Sequence, residues 1–154
     1  MREIPLNKGK FALVDDQDYE WLMQWRWTVS AKGYATRTSK SKGVTRKILM
    51  HRLINNTPDG MQTDHINHNP LDNRRSNLRT VSHVQNSYNK KAYPNNKSGY
   101  KGVCWDRGAW HVQIQVNKKK MHLGRFKDIR AAAMRYNGAA KQFHGEYARL
   151  NEVI

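Results

Sequence analysis

Residues 89–100, NKKAYPNNKSGY, constrain the fold more than any other stretch of this chain. They follow neither a strand nor a helix period, and they mix Asn, Lys, Pro and Gly, so no regular element is expected to run through them. The 154 residues therefore divide into two short parts. One domain is expected over residues 1–90, a linker over 91–98 and a second domain over 99–154. With 38% hydrophobic residues and five tryptophans, the chain can build cores, though small ones.

The formal charge is +16 and is shared evenly. Residues 1–94 hold 16 lysines and arginines against 8 acidic residues, and residues 95–154 hold 12 against 4. A basic arm on a neutral body would be lopsided. Both parts are thus expected to touch one long polyanion, and phosphate neutralisation with counterion release makes nucleic acid the natural partner. A membrane fits less well, because no apolar run approaches the ~18–20 residues that span a bilayer. Cys104 is the only cysteine. It leaves no internal disulfide and no zinc site of the CxxC kind, and it fits a reducing, cytoplasmic setting. The opening MREIPLNKGK contains no apolar signal core.

In the first part, IPLNKGKFALV alternates around a Gly turn, which predicts paired strands. Asp15 or Asp16 then caps a short helix with Tyr19, Leu22 and Met23 on one side. WRWTV and GYATRT predict a hairpin through residues 31–33. After the polar turn SKSKG, TRKILMHRLIN reads as a strand running into a helix, ended by NTPDG. In the second part YKGVCW, AWHVQIQV and KKMHLGRF are three period-two runs split by DRG and NKK. DIRAAAMRYNGAAKQFHG is a helix with Asp128 as N-cap and Gly145 as its stop. Ala132, Ala133, Tyr136, Ala140 and Phe143 fall near one face, where small alanines allow close approach to a sheet. The fold class is α+β.

The chemistry concentrates in DHINHNPLDNRRSNLRTVSHVQN, residues 64–86. Phosphodiester hydrolysis needs a nucleophile made from water, neutralisation of developing charge and help for the leaving oxygen. A hard cation held by one carboxylate and one amide oxygen supplies the last two, and histidine is the natural base near neutral pH. Asp64 and His65 offer a ligand and a base. Successive strand residues point to opposite faces, so both serve one site only if the strand ends or bulges there, and INHNPLDN supplies such a turn.

MHRLI (50–54), DHIN (64–67), DNRRSNLR (72–79) and TVSHVQN (80–86) resemble the HNH, or ββα-metal, nucleases, and more closely the phage and intron homing endonucleases of that group. The resemblance implies that Asp64 binds the metal and His65 is the general base. It implies that Asn77 braces the intervening loop and Asn86, on the following helix, is the second metal ligand. The family name implies histidine at that last position. Many homing-type members resemble this chain in having Asn there, and an amide oxygen favours Mg²⁺ or Mn²⁺ over Zn²⁺. A bare Asp-His pair is commonly a solvated surface pair, and the spacing of all four residues is what gives the motif its weight. His51 is expected to pack or cap, and His68 and His83 stand aside. Arg74, Arg75 and Arg79 are expected on phosphate.

On the second part, Trp110, Val112, Ile114 and Val116 share one strand face, while His111, Gln113 and Gln115 share the other. Exposed glutamines suit base edges in the major groove, which admits a β-sheet, and Lys118 with its neighbours suits phosphate. SGYKGVCW, WHVQI, HLGRF and AAAMRYNGAAKQFHGEYARLN resemble the plant ethylene-response-factor (APETALA-two) DNA-binding domain. That family implies three antiparallel strands on one helix, with DNA contacts here from Lys101, Gln113, Gln115, Lys120 and His122. Trp105 and Arg107, in the first turn, are expected to stack on the DNA backbone.

The expected protein is a metal-dependent, site-specific DNA endonuclease of homing type acting on double-stranded DNA. One active site per chain implies a monomer that nicks, with a dimer for double-strand cutting. A phage- or intron-encoded protein would work in the host cytosol. The alternative is a non-catalytic DNA-binding regulator on a nuclease-derived scaffold. An RNA-binding basic protein explains the charge but not the motif, and its sheet would show stacking aromatics.

Overall fold

The structure, a computed structural model, describes residues Met1–Ile154 and divides into two compact units, Met1–Ser82 and His83–Ile154. The class is α+β, with antiparallel sheets and four α-helices. No helix is long and apolar enough to cross a membrane.

In the first unit β1 (Arg2–Pro5) pairs with β2 (Phe11–Val14) in antiparallel register. Helix α1 (Asp16–Met23) follows, with Asp15 at its N-cap position. Asp15 makes no side-chain capping bond, because its Oδ2 accepts from the Arg75 N–H at 2.8 Å instead. Leu22 is buried and Tyr19 packs on the core, whereas Met23, expected beside them, is exposed. Strands β3 (Thr28–Val29), β4 (Ala35–Ser41) and β5 (Val44–Leu49) form a second antiparallel sheet in that order. Its β4–β5 turn is Lys42–Gly43, both with positive φ, as two-residue hairpin turns require. Helix α2 (Met50–Ile54) continues directly from β5. Ile4, Val14, Leu22, Trp27, Met50, Ile54 and Leu78 meet in one core. Large side chains therefore fill it, as a short domain demands.

Strand β6 (Gln62–His65) pairs antiparallel with β7 (Leu78–Val81), placing Asp64 opposite Arg79 and His65 opposite Leu78. The loop between them ends in a 3₁₀ turn, Arg75–Asn77. This loop is sewn onto β2: Leu13 N–H donates to the Leu71 carbonyl and Asn73 N–H to the Leu13 carbonyl, each at 2.8 Å.

The second unit opens with α3 (His83–Asn89). Strands β8 (Val103–Asp106), β9 (Ala109–Val116) and β10 (Lys119–Phe126) follow as an antiparallel sheet with β9 central. Helix α4 (Ile129–His144) packs on it. Asp128 caps α4, accepting from the Arg130 and Ala131 N–H groups, and Gly145 ends it at φ 55°. Val112 and Ile114 face Ala132, Tyr136, Ala139 and Ala140. Phe143 departs from its expected place: it is exposed, and His144 is buried in its stead. The helical phase from Ala140 reaches position 144 as readily as 143. Gly102, at φ 75°, lies so close to α4 that a Cβ there would collide with the Tyr136 ring and the Gln113 carbonyl.

Candidate active site

Strand β6 ends at His65, which resolves the opposite-faces difficulty raised by adjacent ligand and base. The chain turns at once, with Ile66 N–H donating to the Asn77 carbonyl (2.9 Å) and His68 N–H to the His65 carbonyl (3.0 Å). His65 is 6% exposed, and its Nε2 lies 3.2 Å from Asn73 Oδ1. Burial lowers the His65 pKa, opposed by the Asn73 bond and by the carboxylates of Asp64 and Asp72. A neutral imidazole is thereby favoured at physiological pH, the form a general base requires.

Asn77 is buried and holds the loop by three bonds. Its Oδ1 accepts from the Asn67 N–H (2.9 Å), and its Nδ2 donates to Asn67 Oδ1 (2.9 Å) and to the Asp72 carbonyl (2.8 Å). The amide thus bridges both limbs of the segment that carries Asn73.

Asp64 is 8% exposed, and its Oδ2 accepts from Arg79 Nε (3.0 Å) and Nη2 (2.8 Å). Asn86 lies on α3, partly buried. No group of three or more His, Cys, Asp or Glu side chains is arranged to hold a metal ion. The residues that the resemblance implies as ligands carry one carboxylate, Asp64, and one amide oxygen, Asn86. Such a set fits a hard cation that keeps most of its waters, and it suits Mg²⁺ or Mn²⁺ better than a thiolate- or imidazole-seeking ion.

The three arginines expected on phosphate each hold a carboxylate. Arg74 chelates Asp72 through Nε (2.7 Å) and Nη2 (2.6 Å), which holds that carboxyl below its ordinary range. Arg75 grips Asp18 of α1 through Nε (2.8 Å) and Nη2 (2.7 Å), and Asp18 is 1% exposed. Arg75 is therefore a tie between the 3₁₀ turn and α1. A nearly buried carboxylate needs its cation where it is. Arg79 is committed to Asp64, as above.

Four neighbours escaped the sequence reading. Asn73 meets His65, and Asn67 and Asp72 meet Asn77. Tyr34 stacks toward His65, with ring centroids 6.0 Å apart, and touches His51 at 4.9 Å. The motif DNRR contained Asp72 and Asn73, so their nearness to His65 had a local signal, whereas Tyr34 had none. His51, expected to pack, is buried with its ring 5.0 Å from that of His65. Burial, then the neighbouring His65 and Arg52, pushes its pKa down to about 3. The unfolded chain takes up this proton near the ordinary value of 6.5, so stability present above that pH is lost as pH falls from about 6.5 toward about 3. The expected slope is about 1.4 kcal/mol per pH unit. Urea midpoints at pH 7 and pH 5 should differ accordingly, and His51→Phe should flatten the difference.

On the second unit, β9 and β10 bring Gln115 opposite Lys120 and Gln113 opposite His122 on the face away from α4. His122 stacks on His111 at 4.4 Å, and Cys104 Sγ lies 3.6 Å from His111 Nδ1. Lys118 and Arg107 are exposed at the positive-φ hairpin turns. Trp105 is exposed and sits edge-on to Trp110 at 4.9 Å. The segment expected as linker lines the same side: Tyr93, Lys97, Cys104, Gln113, Gln115 and Lys120 border a cleft of about 510 Å³. Lys101, which the resemblance implies as a DNA contact, has its Nζ donating to the Tyr88 and Lys90 carbonyls.

The family model described as HNH endonuclease matches residues 56–88, which span β6, the braced loop, β7 and most of α3. An uncharacterized HNH endonuclease of Acanthamoeba polyphaga mimivirus is 27% identical over 148 residues, covering 96% of this chain and 78% of that protein. Protein 3.8 of Escherichia phage T7 is 33% identical over 95 residues, covering 60% of this chain and 78% of that protein. No solved structure matches the chain. With the matched segment coinciding with the Asp64–His65 hairpin and its Asn77 brace, the chain belongs to the HNH endonuclease family.

Proposed function

We propose that this protein is a DNA endonuclease of homing type that hydrolyses phosphodiester bonds with one divalent metal and His65 as general base. The observation that carries the reading is the buried, neutral-favoured imidazole at the end of β6, oriented by Asn73 on a loop that Asn77 braces. Asp64 and Asn86 are the proposed ligands. When bound, the ion neutralises charge developing on the phosphate and eases departure of the leaving oxygen. His65 takes the proton of the attacking water at a ring nitrogen. Asn73 fixes the plane of that ring. Arg79, opposite Asp64, either shares the carboxylate with the ion or releases it to the ion.

The outer face of the second unit is the proposed reader. Gln113 and Gln115 present amide donors and acceptors suited to base edges, with Lys118, Lys120 and His122 beside them. This follows the likeness to the ethylene-response-factor domain, and Trp105 and Arg107 belong to the same surface. We further propose a monomer that nicks, with dimerisation for double-strand cutting, in the cytoplasm of a host cell.

The Arg79–Asp64 pair also favours a second reading. An arginine neutralising the ligand carboxylate is what a non-catalytic DNA-binding regulator on this scaffold would carry. Supercoiled plasmid bearing phage-derived targets separates the two. With Mg²⁺, relaxed or linear product is expected, and with EDTA none. Specific binding without any cleavage at either Mg²⁺ or Mn²⁺ supports the regulator. DNA affinity should also fall steeply with salt, by about 10³ or more between 50 and 200 mM if six or more phosphates are contacted. A flat response would remove the polyanion argument.

A further inference from the structure

Helix α3 is seven residues long, and isolated helices below ~12–15 residues are marginal in water. Its supports lie in the second unit. Lys101 Nζ donates to the carbonyls of Tyr88 and Lys90. There the last carbonyls of a helix lack intrahelical partners, and a cation meets the negative end of the helix dipole. Lys101 is itself tied down. Its N–H donates to Asn151 Oδ1 (2.6 Å) and its carbonyl accepts from Asn151 Nδ2 (3.1 Å), while Asn151 exchanges two bonds with Asn137 of α4. The Tyr88 ring stacks on His144 at 3.8 Å and 10°. Its hydroxyl accepts from the Asn117 N–H at 2.9 Å, and His144 Nε2 meets the Gln115 carbonyl at 2.8 Å. Asn86 lies two residues before Tyr88 on this helix.

Resting on the reading of Asn86 as a metal ligand, we propose that Lys101, with Tyr88 and His144, is a positioning group for Asn86. Burial and the nearby Arg149 draw the Lys101 ammonium down to about 8, as befits a cation withdrawn from solvent. A break within residues 91–98, the expected linker, would separate α3 from everything named above.

The test uses the full chain and Mn²⁺ alone, with free Mn²⁺ followed by electron paramagnetic resonance. Asn86→Ala and Lys101→Met should each weaken Mn²⁺ binding by about tenfold or more, the usual cost of losing a ligand's support. Lys101→Arg should restore much of the loss, and α3 amides should exchange faster in Lys101→Met. The salt slope of DNA binding should not change. If Asn86→Ala weakens Mn²⁺ binding and Lys101→Met does not, the positioning role is overturned while the ligand reading stands. If Asn86→Ala leaves Mn²⁺ binding intact, the ligand reading falls and the positioning role with it. A log–log salt slope reduced by about one unit in Lys101→Met, with Mn²⁺ binding intact, would return Lys101 to phosphate. Should Lys101→Met fail to fold by circular dichroism, Tyr88→Phe carries the same comparison. It keeps the ring on His144 and loses only the hydroxyl bonds to Asn117, and unchanged Mn²⁺ binding and α3 exchange there would overturn the proposal.

Discussion

His65→Ala is expected to abolish metal-dependent nicking of supercoiled plasmid and to leave DNA binding within a fewfold of the unaltered protein. A positioned general base contributes about 10²–10⁴ in rate, and none of the basic groups on the outer face of the second unit involves His65. The residue is buried, so the substitution also leaves a cavity and strips Asn73 Oδ1 of its partner. A lost buried hydrogen bond costs about 1–3 kcal/mol, and a urea melt shows whether the variant remains folded under assay conditions. His65→Gln keeps a polar group in the space and removes the base. Both variants should be inactive at every Mg²⁺ concentration. Nicking retained above a hundredth of the original rate in a folded variant would remove His65 as the base.

The parts of this molecule that local pattern controls were legible in its sequence. Alternation along AWHVQIQV separated Val112 and Ile114 from Gln113 and Gln115, and the fold keeps that division. Asp128 and Gly145 bound α4 because caps and stops act within a few residues. The turn after His65 follows from a polar, proline-containing loop meeting a strand end.

What escaped depends on partners far along the chain. Arg75 sits in a run of basic residues that reads as a phosphate-binding face, but its carboxylate is Asp18, 57 positions away. Nothing local to either residue announces that pair. Lys101 sits in the run YKGVCW, where the resemblance implies a DNA contact. Its ammonium instead closes the end of a helix 13 residues upstream, which only the tertiary arrangement decides. Tyr34 reaches His51 and His65 because β4 and α2 bring distant segments into one core. The contacts of the cations around the marked positions are set by charge partners that spacing cannot reveal.

Asn77→Ala should have the second-largest effect, and of a different kind. The side chain contributes no proton and no charge. It satisfies the Asn67 N–H, the Asn67 Oδ1 and the Asp72 carbonyl at once, and Asn77 itself is buried. Truncation leaves the Asn67 N–H and the buried bond to the Asp72 carbonyl unmade, while Asn67 Oδ1 keeps the Asn69 N–H, so a loss of about 1–3 kcal/mol in urea unfolding is expected. The loop also carries Asn73, whose Oδ1 sets the His65 ring, so cleavage by the protein that remains folded should fall at least about tenfold, consistent with the penalty for a misplaced catalytic group. Asn77→Asp separates geometry from bulk. It keeps the acceptor for the Asn67 N–H, loses both donated bonds and adds a negative charge close to the Asp72 backbone. It should be no better than alanine. Single-turnover nicking at saturating Mg²⁺, measured well below the melting temperature, isolates the catalytic part from the stability part. A folded Asn77→Ala protein that nicks at the original rate would mean that Asn73 orients His65 without any help from the brace.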